Sequence, residues 1–190
     1  MTVNIIYSQQ ADESASLANL PPHTEAEKNL ELHPGGEHLG VPENLSHPSL
    51  GEPGMLWEYR DTSGQLVVCA ARFDKADGGK IILPCTHELH DGQSVWRWKK
   101  PAEIPLYNSD LLAKYPEKPV VVCEGEKAAD AAAALLPAYI ATTSFGGSQS
   151  PHKTDWSIVR ERDVVIWPDN DLAGFKYALK VRKILEELTG

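Results

Sequence analysis

The stretch PVVVCEGEKAADAAAALLP, residues 119–137, decides the fold class of this chain. Its continuous apolar run is typical of a strand buried on both faces of a parallel sheet. The alanine-rich segment that follows is typical of a helix, which Pro137 would end. The alternation continues with a strand AYIATTSF at residues 138–145, a strand DVVIWPD at 163–169, and a helix from about Leu172 to Leu188. The pattern predicts an α/β domain over residues 117–190, with a parallel sheet and flanking helices.

Upstream of this region the sequence has the pattern typical of short antiparallel strands. Apolar and β-branched runs alternate with turns that contain Gly and Asp, which is typical of a β-meander. The runs are MLWEYRD at residues 55–61, QLVVCAARFD at 65–74, KIILPCT at 80–86 and SVWRWKK at 94–100. They predict a small, antiparallel, β-rich lobe over residues 54–116.

The first 53 residues differ in composition from the rest of the chain. Residues 8–53 contain six prolines and no Phe, Tyr or Trp, so they offer little apolar surface to offset the entropy lost on ordering. Residues 1–53 hold eight Asp or Glu and one Lys, which is most of the formal net charge of −9. They are predicted to form a flexible acidic tail, and residues 54–190 are close to neutral.

Composition also argues against several classes of protein. There is no long apolar run and no basic start before one, which predicts a cytoplasmic protein with no membrane partner. Cys69, Cys85 and Cys123 form no CxxC pair, which argues against a disulfide framework and against bound zinc. Because Cys85, His87 and His90 have no fourth ligand nearby, they are predicted to be loop residues and not a metal site.

Acidic residues follow two of the three predicted parallel strands. Glu124 closes the first strand, and Asp169 and Asp171 follow the third in the loop WPDNDLAG. In open parallel sheets, functional residues lie beyond the carboxyl ends of the strands. Carboxylate oxygens are the ligands that Mg²⁺ prefers, and it keeps open positions for substrate phosphates. The three acids are therefore the candidate ligands of a Mg²⁺ or Mn²⁺ ion.

Structural explanations exist for some of these residues. Asp171 precedes LAGFKYAL and suits a helix N-cap by itself. Glu126 and Lys127 suit a solvated first helical turn. The segment WRWKK at residues 96–100 suits either a hairpin with aromatics packed on one side or a surface that contacts nucleic acid.

Three ordered motifs resemble the Toprim domain shared by DnaG-type primases, topoisomerases and some nucleases. In that family the first strand ends in Glu-Gly, the second runs into a glycine turn, and the third ends in Asp-x-Asp before a small residue and Gly. The matching residues here are Glu124-Gly125, Gly146-Gly147, Asp169 with Asp171, and Gly174. Together with YRDTSGQLVVCAARFD and VWRWKKPAEIPLY upstream, they look most like the primases of phages, plasmids and integrated elements.

The resemblance implies a Rossmann-like fold and a metal-dependent primase. Glu124, Asp169 and Asp171 would be the catalytic and metal-binding residues, and RNA primers would be made from nucleoside triphosphates on single-stranded DNA. A replicative helicase is a further candidate partner. The implied or candidate nucleic-acid and nucleotide contacts are Lys99, Lys100, Lys127, Arg72 and Arg97, and the structural turn residues are Gly125, Gly146, Gly147 and Gly174.

The sequence departs from the family pattern in two places. An acid often found four residues after the motif Glu is replaced by Ala128, for which Glu126 is a substitute candidate. The family's usual fourth strand, after the Asp-x-Asp helix, is expected to be missing. These departures keep two alternatives open: a Toprim remnant that binds nucleic acid without catalysis, and a Toprim nuclease.

Overall fold

Two four-stranded sheets organise the part of the chain that the structure describes. This computed structural model describes residues 3–5, 40–42, 44–90, 93–147 and 151–189. The strands are β1 (Val3–Ile5), β2 (Met55–Arg60), β3 (Leu66–Asp74), β4 (Lys80–His90), β5 (Gln93–Arg97), β6 (Val120–Cys123), β7 (Ile140–Thr142) and β8 (Val164–Trp167). The helices are α1 (Ser109–Lys114), α2 (Glu126–Leu135) and α3 (Leu172–Thr189). No helix among the described residues has both the length and the apolar character needed to cross a bilayer.

The parallel sheet has the order β1-β8-β6-β7. All three pairings are parallel, and Val120 of β6 lies opposite Ile140 on one side and Val164 on the other. Alternate residues of β6 point to two cores: Val120 and Val122 join a cluster with α3, while Val121 and Cys123 join a cluster with α2. Burial of β6 on both faces confirms the α/β prediction that its apolar run supported.

The edge strand β1 was not predicted. Val3 and Ile5 pair in parallel with Val164 and Ile166 of β8, and their side chains pack against the α3 side of the core. These residues fall in the predicted flexible tail, because a three-residue strand leaves too short a pattern to recognise. Residues 6–39 of the predicted tail lie outside the described residues.

The antiparallel sheet follows the predicted meander, in the order β2-β3-β4-β5. A segment that was also assigned to the tail covers one of its faces: Leu45 is only 8% exposed and packs with Cys69 and Cys85. Because β4 extends to His90, Cys85, His87 and His90 belong to a strand and not to the predicted loop. The extension of β4 is explained by its second half, which pairs with β5.

The three cysteines are buried, and this gives a prediction for the pH dependence of stability. Burial raises the pKa of Cys69 to about 12, of Cys85 to about 11 and of Cys123 to about 12, from an ordinary value of 9.0. The unfolded chain releases these protons at lower pH than the folded chain does, so the stabilisation is complete below the ordinary value and is lost as the pH rises toward the folded-state values. We expect the urea midpoint to fall steadily above about pH 9. A midpoint that is unchanged up to about pH 10.5 would contradict this assignment.

Candidate functional site

The parallel sheet brings the predicted acidic residues to the end of the sheet where its strands have their carboxyl termini; this end is called the carboxyl edge. Strands β6 and β8 are neighbours, and Cys123 lies opposite Trp167 at their carboxyl ends. Glu124 follows β6 directly, and Asp169 and Asp171 lie in the loop between β8 and α3. The two strand ends therefore present the three predicted carboxylates at the same side of the sheet.

The surroundings of Gly174, in the first turn of α3, show how closely this helix packs against the carboxyl ends of the strands. A Cβ atom at Gly174 would lie 2.3 Å from the backbone oxygen of Asp169 and 2.8 Å from Oε2 of Glu124. The Oε2 atom is itself buried. The Glu124 carboxylate and the Asp169 backbone thus meet at the start of α3, and only glycine leaves room for both.

The other predicted turn glycines have different roles. A Cβ atom at Gly147, which has a φ of +52°, would lie 2.6 Å from the backbone oxygen of Glu124. Gly146 also has a positive φ, +79°, which favours glycine without any close neighbour. Gly125 has an extended backbone, with φ −151°, and a Cβ atom there would have no neighbouring atom within 4 Å. Position 125 therefore has no steric need for glycine.

Asp171 has the capping role that its sequence position suggested. Its Oδ1 accepts the backbone N–H of Gly174 at 2.8 Å, which satisfies one of the open donors at the start of α3. Asp169 is exposed. Burial is the main cause of the raised pKa of Cys123, and the negative charge of Asp169 adds to it. Asp171 thus caps the helix, and Asp169 lies near enough to Cys123 for its charge to raise the pKa of that thiol.

We expect the two aspartates to differ in their effect on stability. Asp171→Ala removes the cap of α3 and should lower the free energy of unfolding by about 1 kcal/mol. Asp169→Ala should change it by less than about 0.5 kcal/mol, because this side chain is exposed. Urea unfolding of both variants measures the difference, and Asp171→Ser should keep most of the capping energy. Equal losses at the two positions would rule out the cap as the reason.

The candidate site has suitable ligands for a divalent ion, but not a complete set in place. Its donors are carboxylate oxygens, which suit Mg²⁺ or Mn²⁺, and they lie at one sheet edge. Within the described residues, however, no group of three or more His, Cys, Asp or Glu side chains is arranged to hold a metal ion. The ligand type and the position of the site therefore suit such an ion, but the three side chains are not arranged as a complete coordination site.

Two acids of α2 connect the parallel sheet to the antiparallel sheet. Glu126 is only 7% exposed, and its Oε1 accepts the hydroxyl of Tyr59 at 2.8 Å. One turn later, Asp130 accepts the indole N–H of Trp57 at 2.8 Å and the hydroxyl of Tyr107 at 2.9 Å. The prediction that Glu126 is solvated is wrong, because β2 covers it, whereas Lys127 is exposed as predicted.

This junction between α2 and β2 was not predicted from the sequence. Its signal is weak but present: aromatic residues with polar atoms alternate at positions 57 and 59, and acids are spaced i, i+4 at positions 126 and 130. Burial, and then the charge of Glu126, raise the pKa of Tyr59 well above its ordinary value, so its hydroxyl stays protonated and can donate even in alkaline solution. Since Glu126 lies two residues after Glu124, this bond also positions the antiparallel sheet next to the candidate site.

The basic residues that were predicted to contact nucleic acid lie in different parts of the structure. Arg97 and Lys99 both pair with Glu88, at 2.9 and 2.6 Å. Arg72 pairs with Asp74 at 2.7 Å. These three side chains lie on the antiparallel sheet with part of their charge compensated. Trp96 and Trp98 pack against the cluster around Leu45, which agrees with the hairpin interpretation of this segment.

Lys100 lies in a different setting from its neighbour. Its Nζ is 5.4 Å from the ring centroid of Phe145. Together with Lys153 and Thr154, these residues line a cavity of about 450 Å³. Phe145 leads into Gly147, which contacts the backbone of Glu124, so this basic cavity adjoins the acidic edge.

No family model matches the chain. A search of curated proteins gives no match either. Function therefore has to be inferred from the geometry of the chain itself.

Proposed function

We propose that residues 54–190 form a Toprim-type primase core that makes RNA primers on single-stranded DNA with the help of a divalent metal. The observation that supports this most is the position of Glu124 and Asp169 at the carboxyl ends of neighbouring parallel strands, packed together around Gly174. The order of the Glu-Gly, Gly-Gly and Asp-x-Asp motifs along the chain supports the same proposal. Nucleoside triphosphates and a DNA template are the proposed ligands, with a replicative helicase as a proposed partner.

Each group at the site has a proposed role. Glu124 and Asp169 would hold the ion, and Asp171, whose Oδ1 caps α3, would contribute through Oδ2. When bound, Mg²⁺ or Mn²⁺ supplies charge stabilisation for phosphoryl transfer. Lys100 and Lys153, in the adjoining cavity, would bind the phosphates of a nucleotide or of the template. The Phe145 ring beside them gives this cavity an apolar wall.

Template-dependent primer synthesis tests the proposal. In the presence of Mg²⁺ or Mn²⁺, the wild-type chain should join labelled ribonucleotides into primers on single-stranded DNA. Asp169→Ala should reduce the rate of primer synthesis at least about a hundredfold, as expected for loss of a group that acts on the reaction. Glu117→Ala is the matched control. Glu117 is an exposed acid that precedes β6, so it lies near the amino end of that strand, away from the candidate site. No synthesis by the wild-type chain, or equal synthesis by the Asp169 variant, would count against a primase.

A non-catalytic nucleic-acid-binding domain is the second candidate. Two observations favour it: the described residues hold no ready-made group of three metal ligands, and one oxygen of Asp171 is occupied by capping. Binding of a fluorescent single-stranded oligonucleotide distinguishes the two functions. Binding that persists in EDTA and in Asp169→Ala, without synthesis, would support this candidate, and metal-dependent binding would count against it.

A further inference from the structure

The strand β2 borders a groove on the side away from β3. In the sheet order β2-β3-β4-β5 it is an edge strand, paired only with β3 among the strands that the structure describes. A cavity of about 520 Å³ runs between this edge and the start of α1, and we call it the β2 groove. The backbone groups on the outer edge of a strand are a template for pairing with another extended segment.

The β2 groove has an apolar part. Met55 and Leu56 line it and are 40% and 36% exposed, although both are large hydrophobic side chains. Leu111 of α1 also lines this cavity. An extended segment added to β2 would cover these side chains and remove apolar surface from water.

The β2 groove is also acidic. Glu58, Asp110 and Asp130 line it, and Arg60 is the basic side chain among its lining residues. Arg60 pairs with Glu58. Asp130 accepts its bonds from an indole and a phenol, which are neutral donors, so its negative charge is not cancelled by them. The groove therefore favours a ligand with positive charge.

Charge also decides between the candidate occupants. Residues 6–39 of this chain contain six Asp or Glu and one Lys, so they would be repelled. Nucleic acid, with its phosphates, would be repelled as well. We propose that the β2 groove binds an extended segment of a partner protein, in which Lys or Arg alternates with apolar residues, as an added strand on β2. This site is separate from the proposed primase site and does not depend on that function.

Peptide binding to the full chain tests the proposal. The probe is a fluorescent peptide with the sequence Lys-Val-Lys-Val-Lys-Val-Lys, followed by anisotropy at physiological salt. Asp110→Lys should weaken its binding by about tenfold or more. Glu117→Lys makes the same charge change at an exposed position outside the groove and should leave the affinity nearly unchanged. Circular dichroism confirms that both variants are folded.

Four further measurements complete the test. A peptide with Glu in place of each Lys, and a peptide with Pro in place of each Val, should both fail to bind, because the first lacks the charge and the second cannot pair along a strand. Amide exchange of residues 55–60 should slow when the probe binds. Equal loss of affinity in the two charge variants, or full binding of the Pro peptide, would overturn the proposal. Self-association that Leu56→Lys abolishes would assign the groove to a second copy of the chain and would also overturn it.

Discussion

Replacing Gly174 by alanine should destabilise the protein by about 3 kcal/mol, at the upper end of what overpacking usually costs. The added Cβ would lie 2.3 Å from the backbone oxygen of Asp169 and 2.8 Å from Oε2 of Glu124, both closer than real contacts allow. The sign of the effect is informative. Gly174 lies within α3, where exchange of glycine for alanine would otherwise stabilise the helix by about 1 kcal/mol.

The matched control for this variant is Gly125→Ala. Gly125 is another of the predicted turn glycines, but a Cβ there meets no atom within 4 Å. Alanine is a poorer N-cap than glycine, so a loss of at most about 1 kcal/mol is expected. Urea unfolding of the two variants measures the difference. A stabilised Gly174→Ala would show that α3 does not approach Asp169 and Glu124 as described.

Tyr59→Phe should lower the free energy of unfolding by about 2 kcal/mol, which is typical when a buried polar group loses its partner. The variant removes the hydroxyl that donates to Glu126 at 2.8 Å and leaves a carboxylate in a position that is 7% exposed. The double variant Tyr59→Phe with Glu126→Leu removes both partners. It should be more stable than Tyr59→Phe alone, because no charge is then buried without a donor.

The control for this cycle is Tyr139→Phe, at a half-buried tyrosine just before β7. A change of less than about 0.5 kcal/mol is expected there. Urea unfolding of the wild type, Tyr59→Phe, Glu126→Leu and the double variant gives the coupling energy between Tyr59 and Glu126. Additive losses at these two positions would contradict the hydrogen bond between Tyr59 of β2 and Glu126 of α2.

The strand positions were predictable from the sequence because burial leaves a local pattern. Val120, Val121 and Val122 are apolar in succession, since both faces of β6 are covered. The turns of the meander, which contain glycine, and the position of the acids directly after β6 and β8 could also be recognised from the local sequence. Position relative to the ends of parallel strands was sufficient to predict that Glu124 and Asp169 share one edge of the sheet.

Contacts between distant segments could not be predicted in the same way. The burial of Glu126 depends on Tyr59, which is 67 residues away in the chain. The different settings of Lys99 and Lys100 depend on Glu88 and on Phe145, which come from separate elements. In each case the sequence shows a charged residue, but its role is decided by a partner that only the fold brings near.

The most direct test of the central claim is a titration with Mn²⁺ monitored by electron paramagnetic resonance. If Glu124 and Asp169 hold a divalent ion at the edge of the sheet, the wild-type chain should bind Mn²⁺, and Mg²⁺ should compete for the site. Binding should be lost in the folded variants Glu124→Gln and Asp169→Asn and retained in Glu117→Gln. Equal binding by wild type and by the Glu124 and Asp169 variants, or no binding by wild type, would contradict a metal site at these residues.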